Sequence, residues 1–300
     1  MAAINPPLEY FVGRKIMDAH SPLAASRFQA LSSRHPTVTK AAAKILPTMQ
    51  LHFKESGQGR AVILLHGLFG SLDNWHHITL RLAEKFRVFA LDQRNHGQSP
   101  HSAKMNYSLM SIDVNEFMAL RGIETALVIG HSMGGKTAMQ FALQFPSRVE
   151  KLIVADMAPR AYAPAHEKIF AALLTLDLKS FSARQQIEEA LAPEIPNLVL
   201  RRFLLKNLGR NSAGGFLWKI NLRGLSQNYP HLGDPISADA PFTKPTLFIR
   251  GGKSNYMKTE DESLIRELFP QSQIKTLAEA SHWVHADQPQ EFLRLVQAFL

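Results

Sequence analysis

The sequence predicts an α/β fold in which helices cover both faces of a mostly parallel central sheet. From residue 49 onward, short apolar runs rich in β-branched residues alternate with helical patterns. Most of these runs are apolar at nearly every position, which is typical of central strands buried on both faces of a parallel sheet. Residues 157–245 interrupt the alternation with helical patterns alone. An alternating chain with one such interval predicts a doubly wound sheet with an inserted helical cap.

The individual elements follow from these patterns in chain order. The first strand is predicted to begin at Met49. The later strands are predicted at residues 61–65, 87–91, 126–130, 152–156, 246–250 and 273–277. Helices of the sheet region are predicted at residues 108–121, with Ser108 as the N-cap, and at 133–145, 260–269 and 291–300. Within the interval, helices are predicted at residues 170–178, 182–191 and 198–208.

These elements divide the chain into an extension at residues 1–48, a core at 49–157 and 241–300, and a helical cap at 158–240. The extension is basic and poor in acids, and it lacks an apolar segment followed by a small-residue cleavage site. We expect a poorly ordered or surface-packed extension and a cytoplasmic protein. One alternative is a mitochondrial presequence and a mitochondrial protein. The other is an upstream start codon that precedes a natural start at Met49.

Composition narrows the classes of partner and chemistry. The formal net charge is +9, of which residues 1–48 contribute +4, and the rest is spread thinly along the chain. No basic stripe with interleaved aromatic residues is present, so nucleic acid is not an expected partner. No apolar run reaches the roughly 18 residues of a membrane span. The chain has no cysteine, which excludes thiolate metal sites. We expect no metal and no cofactor, and the oligomeric state stays open.

The segment G-H-S-M-G at residues 130–134 places one serine between two glycines, directly after a predicted strand and before a predicted helix. This strand–turn–helix context is that of a nucleophile elbow, in which the serine has a strained backbone and an exposed hydroxyl. Side chains at Gly130 or Gly134 would clash with the chains that pack there. Ser132 is therefore the predicted nucleophile.

A second glycine-containing loop, H-G-L-F-G at residues 66–70, follows the predicted strand at 61–65. Such a loop can turn a backbone amide toward the nucleophile. The N–H groups of Leu68 and Met133 are predicted to form an oxyanion hole, and Phe69 is the alternative to Leu68. We expect His66 to support this loop.

A third loop, D-Q-R-N-H-G-Q-S at residues 92–99, follows the strand at 87–91. Asp92 and Arg94 are expected to stabilise its turn by local hydrogen bonds. His96 is expected at the surface, with the mouth of the pocket as the alternative.

The general base must come from one of 13 histidines, and position along the fold selects among them. The segment A-S-H-W-V-H at residues 280–285 lies between the last predicted strand and the last helix. A loop there reaches the carboxyl edge of the sheet, close to the predicted nucleophile. His282 is the predicted general base, and His285 is the alternative.

The segments H-G-L-F-G-S-L-D-N-W, D-Q-R-N-H-G-Q-S, G-H-S-M-G-G-K and S-H-W-V-H-A-D resemble signatures of the α/β-hydrolases. Within that family they are similar to small carboxylesterases like bacterial YbfF and their mitochondrial relatives. The resemblance covers residues 49–300 and implies the α/β-hydrolase fold. It implies acyl transfer from a small-molecule ester to water through an acyl-serine intermediate.

The third member of the triad departs from the usual family pattern. Most α/β-hydrolases have an acid after the strand at 246–250, where this chain has Ser254 and Asn255. The A-D-M-A-P segment around Asp156 matches the alternative position in the YbfF-like group. The resemblance therefore implies that Asp156 orients His282, with Ser254 as additional support. A strand-end cap is the competing role for Asp156.

Short- to medium-chain esters are the expected substrates, because bulky aromatic residues are expected to line an apolar acyl pocket. The predicted lining residues are Phe69, Trp75, Tyr162, Phe170, Trp218 and Trp283, each of which is as compatible with an ordinary core position. Thioesters such as acyl-CoA are an alternative that the basic charge would suit. A lyase or a carbon–carbon hydrolase is a further alternative, because such enzymes share the same nucleophile elbow. A hydrolase fold that serves as a ligand receptor is the non-enzymatic alternative.

Overall fold

A computed structural model describes residues 49–300, which belong to one compact unit. The predicted extension at residues 1–48 lies outside the described residues. Within the described part the strands are, in chain order, β1 (Phe53–Ser56), β2 (Ala61–Leu65), β3 (Arg87–Leu91), β4 (Ala126–His131), β5 (Val149–Ala155), β6 (Leu208–Arg210), β7 (Phe216–Trp218), β8 (Thr246–Gly251) and β9 (Ser272–Leu277).

Helices alternate with these strands, and several short 3₁₀ turns, such as Leu72–Trp75, connect them. None of the helices in residues 49–300 is long and apolar enough to cross a membrane. The α-helices are α1 (His76–Leu82), α2 (Tyr107–Leu120), α3 (Met133–Gln144), α4 (Glu167–Thr175), α5 (Arg184–Ala190), α6 (Leu198–Leu205), α7 (Leu222–Gly233), α8 (Glu262–Leu268), α9 (Val284–Asp287) and α10 (Pro289–Phe299).

Seven strands form the central sheet in the order β1-β3-β2-β4-β5-β8-β9. Only the edge pair β1 and β3 is antiparallel; the other neighbours are parallel. The predicted mostly parallel α/β fold is therefore confirmed. The bounds of each predicted strand from residue 61 onward differ from the observed ones by at most three residues, whereas β1 begins at Phe53 and not at Met49. The earlier residues contain His52, whose N–H donates to the Ser99 hydroxyl at 2.8 Å.

Alternate side chains of the central strands enter two separate hydrophobic cores. In β2, Ile63 and Leu65 pack with residues of α2 and α3, while Val62 and Leu64 pack with residues of α1 and α10. All four side chains are fully buried. Because successive residues of a strand point to opposite faces, a run that is apolar throughout requires a helical layer on each face. This arrangement confirms helices on both faces of the sheet.

The α2 helix corrects one detail of the predicted elements. Its N-cap is Asn106, whose Oδ1 accepts a hydrogen bond from Leu109 N at 2.9 Å, and Ser108 already lies within the helix. Asn and Ser are comparable N-caps, so the two candidates could not be separated by residue type.

The interval between β5 and β8 differs from the predicted purely helical segment. Besides α4, α5 and α6 it contains an antiparallel hairpin of β6 and β7, in which Leu208 pairs with Trp218. Strands of three residues are too short for a periodic pattern to reveal. The helix α7 was also not predicted, and it contains Pro230 near its end. Proline usually interrupts a helical pattern, which obscures α7 in the sequence.

Candidate active site

Ser132 lies at a sharp turn between the end of β4 and the start of α3. Its φ of 54° is in the left-handed region, which costs free energy for any residue other than glycine. A Cβ at Gly130 would lie 2.1 Å from the carbonyl oxygen of Gly134. A Cβ at Gly134 would lie 2.2 Å from the carbonyl oxygen of Leu65. Both glycines are therefore required by close backbone contacts, and together they permit the turn that presents the Ser132 hydroxyl.

Ser132, His282 and Asp156 form one hydrogen-bonded series across three separate strand ends. His282 Nε2 lies 2.8 Å from Ser132 Oγ, and His282 Nδ1 lies 2.8 Å from Asp156 Oδ2. Asp156 follows β5 directly, has a φ of 48° and is fully buried. Since an ionised carboxylate only accepts hydrogen bonds, Nδ1 carries the proton and Nε2 is free to accept one from the serine hydroxyl.

The Asp156 carboxylate has two further donors, both from the loop after β8. Gly251 N donates to Oδ1 at 2.8 Å, and the Ser254 hydroxyl donates to Oδ2. The Ser254 oxygen in turn accepts from Tyr256 N at 3.1 Å. Ser254 thus occupies the loop where an acid was expected and contacts the acid on the neighbouring strand end. The later acidic residue Asp261 is committed elsewhere, in an ion pair with Arg160 at 2.9 Å.

His285, the alternative general base, does not contact Ser132. It is buried, its ring stacks on Trp75 at 4.6 Å, and its Nδ1 has no partner among the described residues. Burial lowers the pKa of His285 to about 4. A neighbouring histidine, His131, is also buried, and its Nε2 donates to the His282 carbonyl at 2.8 Å. Burial holds the pKa of His131 well below its ordinary value, so it supports the His282 loop as a neutral ring.

The backbone amides next to Ser132 differ in their availability. Met133 is the first residue of α3, and the first N–H groups of a helix have no partner within the helix. Among the described residues, Leu68 N makes no hydrogen bond to a protein group. Phe69 N instead donates to His96 Nε2 at 3.3 Å, and the φ of Phe69 is 61°. Leu68 and Met133 therefore have the free amides, and that of Phe69 is engaged.

His96 corrects the expectation of a surface position, because it is fully buried. Its Nδ1 lies 3.0 Å from the Arg94 carbonyl, which fixes Nδ1 as the donor and leaves Nε2 to accept from Phe69. Burial, with a smaller contribution from His66, lowers the pKa of His96 to about 3. A neutral His96 thus holds the loop that carries Leu68 and Phe69.

The loops after β2 and β3 are held together by buried polar contacts. His66 Nδ1 lies 2.8 Å from the Gly67 carbonyl, and His66 Nε2 accepts from Gln93 N at 3.1 Å. Asp92 accepts from Leu72 N at 2.8 Å, and Arg94 pairs with Asp113 at 2.6 Å. The expected local hydrogen bond is present at Asp92, which accepts from Gln98 N at 2.9 Å, whereas the carboxylate that pairs with Arg94 lies in α2. His66, Asp92 and Arg94 thus have structural roles.

Two cavities meet at Ser132. The larger has a volume of about 340 Å³, and its lining residues include Leu68, Met133, Tyr162 and Leu232. The narrower has a volume of about 70 Å³, and its lining residues include His282 and Trp283. Ser132 itself lines both cavities, so its hydroxyl is accessible to a molecule that extends into either one.

The sequence and the fold have recognisable relatives. The family described as the alpha/beta hydrolase fold matches residues 60–289. The chain belongs to this family. The sn-1-specific diacylglycerol lipase ABHD11 of Mus musculus is 39% identical over 248 residues, which cover 80% of this chain and 80% of that protein. Esterase YbfF of Escherichia coli is 34% identical over 240 residues, which cover 80% of this chain and 92% of that protein.

The solved structure of a marine microorganism esterase is also similar. The two sequences are 42% identical, and the structures superpose with a TM-score of 0.82. The match covers 84% of this chain and 100% of that chain. The resemblance to α/β-hydrolases and to the YbfF-like group is thereby confirmed.

The aromatic residues predicted to line the substrate pocket of this alpha/beta hydrolase divide into three groups. Tyr162 lines the larger cavity, and Phe69, Trp75 and Trp283 line the narrower one. Phe170 and Trp218 line neither cavity. Phe170 is buried against Phe69 at a centroid distance of 4.9 Å, and Trp218 belongs to the β6–β7 hairpin. Phe170 belongs to the same hydrophobic core as Ile63 and Leu65, and Trp218 packs against that core, since aromatic character alone does not separate core positions from pocket positions.

Two residues at the site were missed in the sequence. The Tyr256 ring stacks on the His282 ring at a centroid distance of 3.7 Å and an angle of 18°. His166 lines both cavities, and its Nδ1 lies 2.6 Å from the Tyr229 hydroxyl. Tyr256 lies only two residues beyond Ser254, so the loop that lacks the expected acid was the available signal. No local pattern marks His166.

Proposed function

We propose that this protein is a serine carboxylesterase that hydrolyses esters with short- to medium-length acyl chains. The observation that carries the proposal is the hydrogen-bonded series from Ser132 through His282 to Asp156. The relatives named as an sn-1-specific diacylglycerol lipase and as esterases support the carboxylic ester hydrolase class. Residues 158–240 act as the cap in this proposal, since Tyr162, His166 and Tyr229 of that segment line the larger cavity.

The first half-reaction forms an acyl-serine. His282 Nε2 accepts the Ser132 hydroxyl proton as Oγ attacks the ester carbonyl carbon, which converts the carbonyl oxygen into an oxyanion. The tetrahedral intermediate then collapses and the bond to the leaving oxygen breaks. His282 returns its proton to that oxygen, so the alcohol leaves as a neutral molecule and the acyl group stays on Ser132.

The second half-reaction repeats these proton transfers with water. His282 Nε2 accepts a proton from a water molecule, and the water oxygen attacks the acyl carbon. Collapse of the second tetrahedral intermediate breaks the bond to Ser132 Oγ, which regains its proton from His282. One ester and one water thus yield one carboxylic acid and one alcohol.

Asp156 orients and stabilises His282 in this mechanism. When His282 accepts a proton it becomes a cation, and a carboxylate at 2.8 Å from Nδ1 lowers the free energy of that cation. Gly251 N and the Ser254 hydroxyl hold the carboxylate in place. The stacked ring of Tyr256 limits rotation of the imidazole.

The amides of Leu68 and Met133 are proposed to form the oxyanion hole. Donors placed in advance stabilise the charge that develops on the carbonyl oxygen, and losing one donor typically costs about 100- to 1,000-fold in rate. Leu68 is favoured over Phe69 because Phe69 N already donates to His96.

The test is a series of p-nitrophenyl esters of increasing acyl length, assayed with the wild type, Ser132→Ala and a control, Ser182→Ala, at an exposed serine. We expect turnover that peaks at short or medium chains, falls about a millionfold in Ser132→Ala, and is unchanged in Ser182→Ala. A fluorophosphonate probe should label the wild type and not Ser132→Ala. If all three proteins are equally inactive and unlabelled, the proposal is wrong, and acyl-CoA hydrolysis, a lyase reaction or ligand binding without turnover would be tested next.

A further inference from the structure

The two cavities at Ser132 differ in which catalytic groups they contain. Leu68 of the proposed oxyanion hole lines both cavities, whereas Met133 lines only the larger one, which His282 does not line. The narrower cavity is lined by His282. An ester bound at Ser132 therefore has two distinct directions in which its two halves can extend.

The proton transfer to the leaving group selects between these directions. The leaving oxygen must lie within hydrogen-bond reach of His282 Nε2 when the tetrahedral intermediate collapses. The leaving group therefore extends on the His282 side, which is the narrower cavity. The acyl chain, on the opposite side of the carbonyl carbon, then extends into the larger cavity.

Three of the four tyrosines that line the larger cavity have hydroxyls that are already engaged, which lowers the cost of placing an apolar chain against them. The Tyr107 hydroxyl donates to the Leu232 carbonyl at 2.8 Å. The Tyr162 hydroxyl donates to the Tyr256 carbonyl and accepts from Ala158 N. The Tyr229 hydroxyl contacts Ala165 N, His166 N and His166 Nδ1. With three of its tyrosine hydroxyls committed to protein partners, the cavity offers mainly apolar contacts.

The narrower cavity has a different character and continues outward. Phe203, Trp283 and His285 line both this cavity and an outer groove of about 360 Å³. The outer groove also has charged side chains of both signs at Arg202, Lys206, Asp73 and Asp287. A group that passes beyond His282 therefore meets polar and charged surroundings.

From these differences we infer that the larger cavity binds the acyl chain and that the narrower cavity and outer groove bind the leaving group. The substrate class is accordingly an ester of an aliphatic acid with a polar alcohol. This assignment rests on the proposed esterase function, because it uses the proton transfer from His282 to the leaving oxygen.

The assignment gives a role to Lys136, the last residue of the G-H-S-M-G-G-K segment. Lys136 is fully buried, and its Nζ lies 2.5 Å from the Asp234 carbonyl and 3.4 Å from the Gly233 carbonyl. The same Nζ lies 4.8 Å from the centre of the Tyr162 ring and 5.3 Å from that of Tyr107. Burial lowers the pKa of Lys136 to about 8.

Lys136 does not line the larger cavity, but Gly233, Tyr162 and Tyr107 do. It is therefore a positioning residue: its ammonium group holds the end of α7 and two rings in the wall that the acyl chain contacts. Loss of the ammonium group should change how the enzyme discriminates between acyl lengths more than it changes the chemistry at Ser132.

The assignment is tested with two substrate series. One varies the acyl length at constant p-nitrophenol, and the other varies the alcohol at constant acetate. Ala163→Phe narrows the larger cavity at an exposed lining residue, and Phe203→Ala widens the narrower one. We expect Ala163→Phe to lower the ratio of kcat/KM for octanoate to that for acetate at least tenfold. Phe203→Ala should change the relative kcat/KM values only within the series that varies the alcohol.

Lys136→Met is compared with Lys151→Met, because Lys151 also donates to backbone carbonyls, those of Phe299 and Leu300, but does not line either cavity. Lys136→Met should lower the octanoate-to-acetate ratio at least fivefold, mainly through KM, and Lys151→Met should not. An equal loss of kcat/KM for octanoate and for acetate in Lys136→Met would show that Lys136 has a purely structural role.

The outcomes separate this inference from the proposed function. If Ala163→Phe alters the alcohol series and Phe203→Ala the acyl series, the two sides are reversed while the esterase function stands. If the wild type neither hydrolyses any ester of the two series nor reacts with a fluorophosphonate, the esterase function itself is wrong.

Discussion

The Ser254 hydroxyl donates to Asp156 Oδ2, the same carboxylate oxygen that lies 2.8 Å from His282 Nδ1. Ser254 lies in the loop after β8, where most members of the family have their acid. Asp156 lies at the end of the neighbouring strand, β5. The loop after β8 thus contacts the carboxylate at the end of β5 through Ser254 and Gly251.

Ser254→Ala should lower kcat by about tenfold. A hydrogen bond to a charged group contributes about 1.5–3 kcal/mol, and its loss leaves Asp156 with fewer donors to hold it. The measurement is steady-state hydrolysis of a p-nitrophenyl ester, with Ser182→Ala at an exposed serine as the control. Unchanged turnover in Ser254→Ala would mean that Gly251 N alone is sufficient to position the carboxylate.

Asp156→Asn should lower kcat on the order of ten-thousandfold, because an amide cannot stabilise the imidazolium and favours the wrong tautomer of His282. The fold should persist, since the amide keeps the volume of the carboxylate. The control is the same change at an exposed carboxylate, Glu260→Gln. Thermal unfolding measured beside turnover separates loss of activity from loss of structure, and near-normal turnover in a folded Asp156→Asn would make Asp156 a strand-end cap.

Gly134→Ala should destabilise the fold by several kcal/mol. The added methyl group would lie 2.2 Å from the Leu65 carbonyl oxygen, so β2 and α3 must separate. The control is Gly122→Ala, where the φ of 64° is unfavourable but no atom lies within 4 Å of the added group. We expect Gly122→Ala to lower the free energy of unfolding by about 1 kcal/mol. Urea unfolding measures the stability of both variants. Equal losses of stability would contradict the close contact between Gly134 and the Leu65 carbonyl.

Acid should destabilise the protein between about pH 6.5 and pH 4. Burial lowers the pKa of His66 to about 4, that of His96 to about 3 and that of His285 to about 4. In this range the unfolded chain therefore binds more protons than the folded one, so the free energy of unfolding falls as the pH falls. Each such histidine lowers the free energy of unfolding by about 1.4 kcal/mol for each pH unit of acidification within this range.

His285→Phe tests this dependence, because phenylalanine keeps an aromatic ring against Trp75 and does not titrate. Urea unfolding at pH 7, 6 and 5 should give a shallower fall in stability for His285→Phe than for the wild type. His77→Phe, at an exposed histidine of α1, should leave the slope unchanged. An identical slope in all three proteins would show that a protonated His285 is tolerated in the fold.

Much of the fold could be predicted because its signals are local. The strands β2, β3, β4, β5 and β8 are marked by apolar runs that need no knowledge of their neighbours. The turn at Ser132 is marked by Gly130 and Gly134, whose lack of a side chain is itself the requirement. The β6–β7 hairpin and α7 were not predicted, because three-residue strands and a helix containing Pro230 lack a periodic pattern.

Some sequence interpretations needed contacts that no local pattern contains. His96 has the composition of a surface turn around it, yet it is fully buried beneath Phe69. Phe170 and Trp218 have the aromatic character of pocket residues, yet Phe170 packs against Phe69 and Trp218 belongs to the β6–β7 hairpin. The proposed domain boundaries and the catalytic roles of the site residues stay predictions.

By itself, the sequence determined the α/β class, the positions of most sheet strands along the chain and the glycine turn that presents Ser132, since each follows from spacing within a few residues. Only the tertiary structure decided that His282 and not His285 contacts Ser132, and that Tyr256 stacks on His282. It also decided that two unlike cavities meet at one hydroxyl. Asp156 and His282 are 126 residues apart, and contacts over such distances exist only after the sheet has brought its strand ends together.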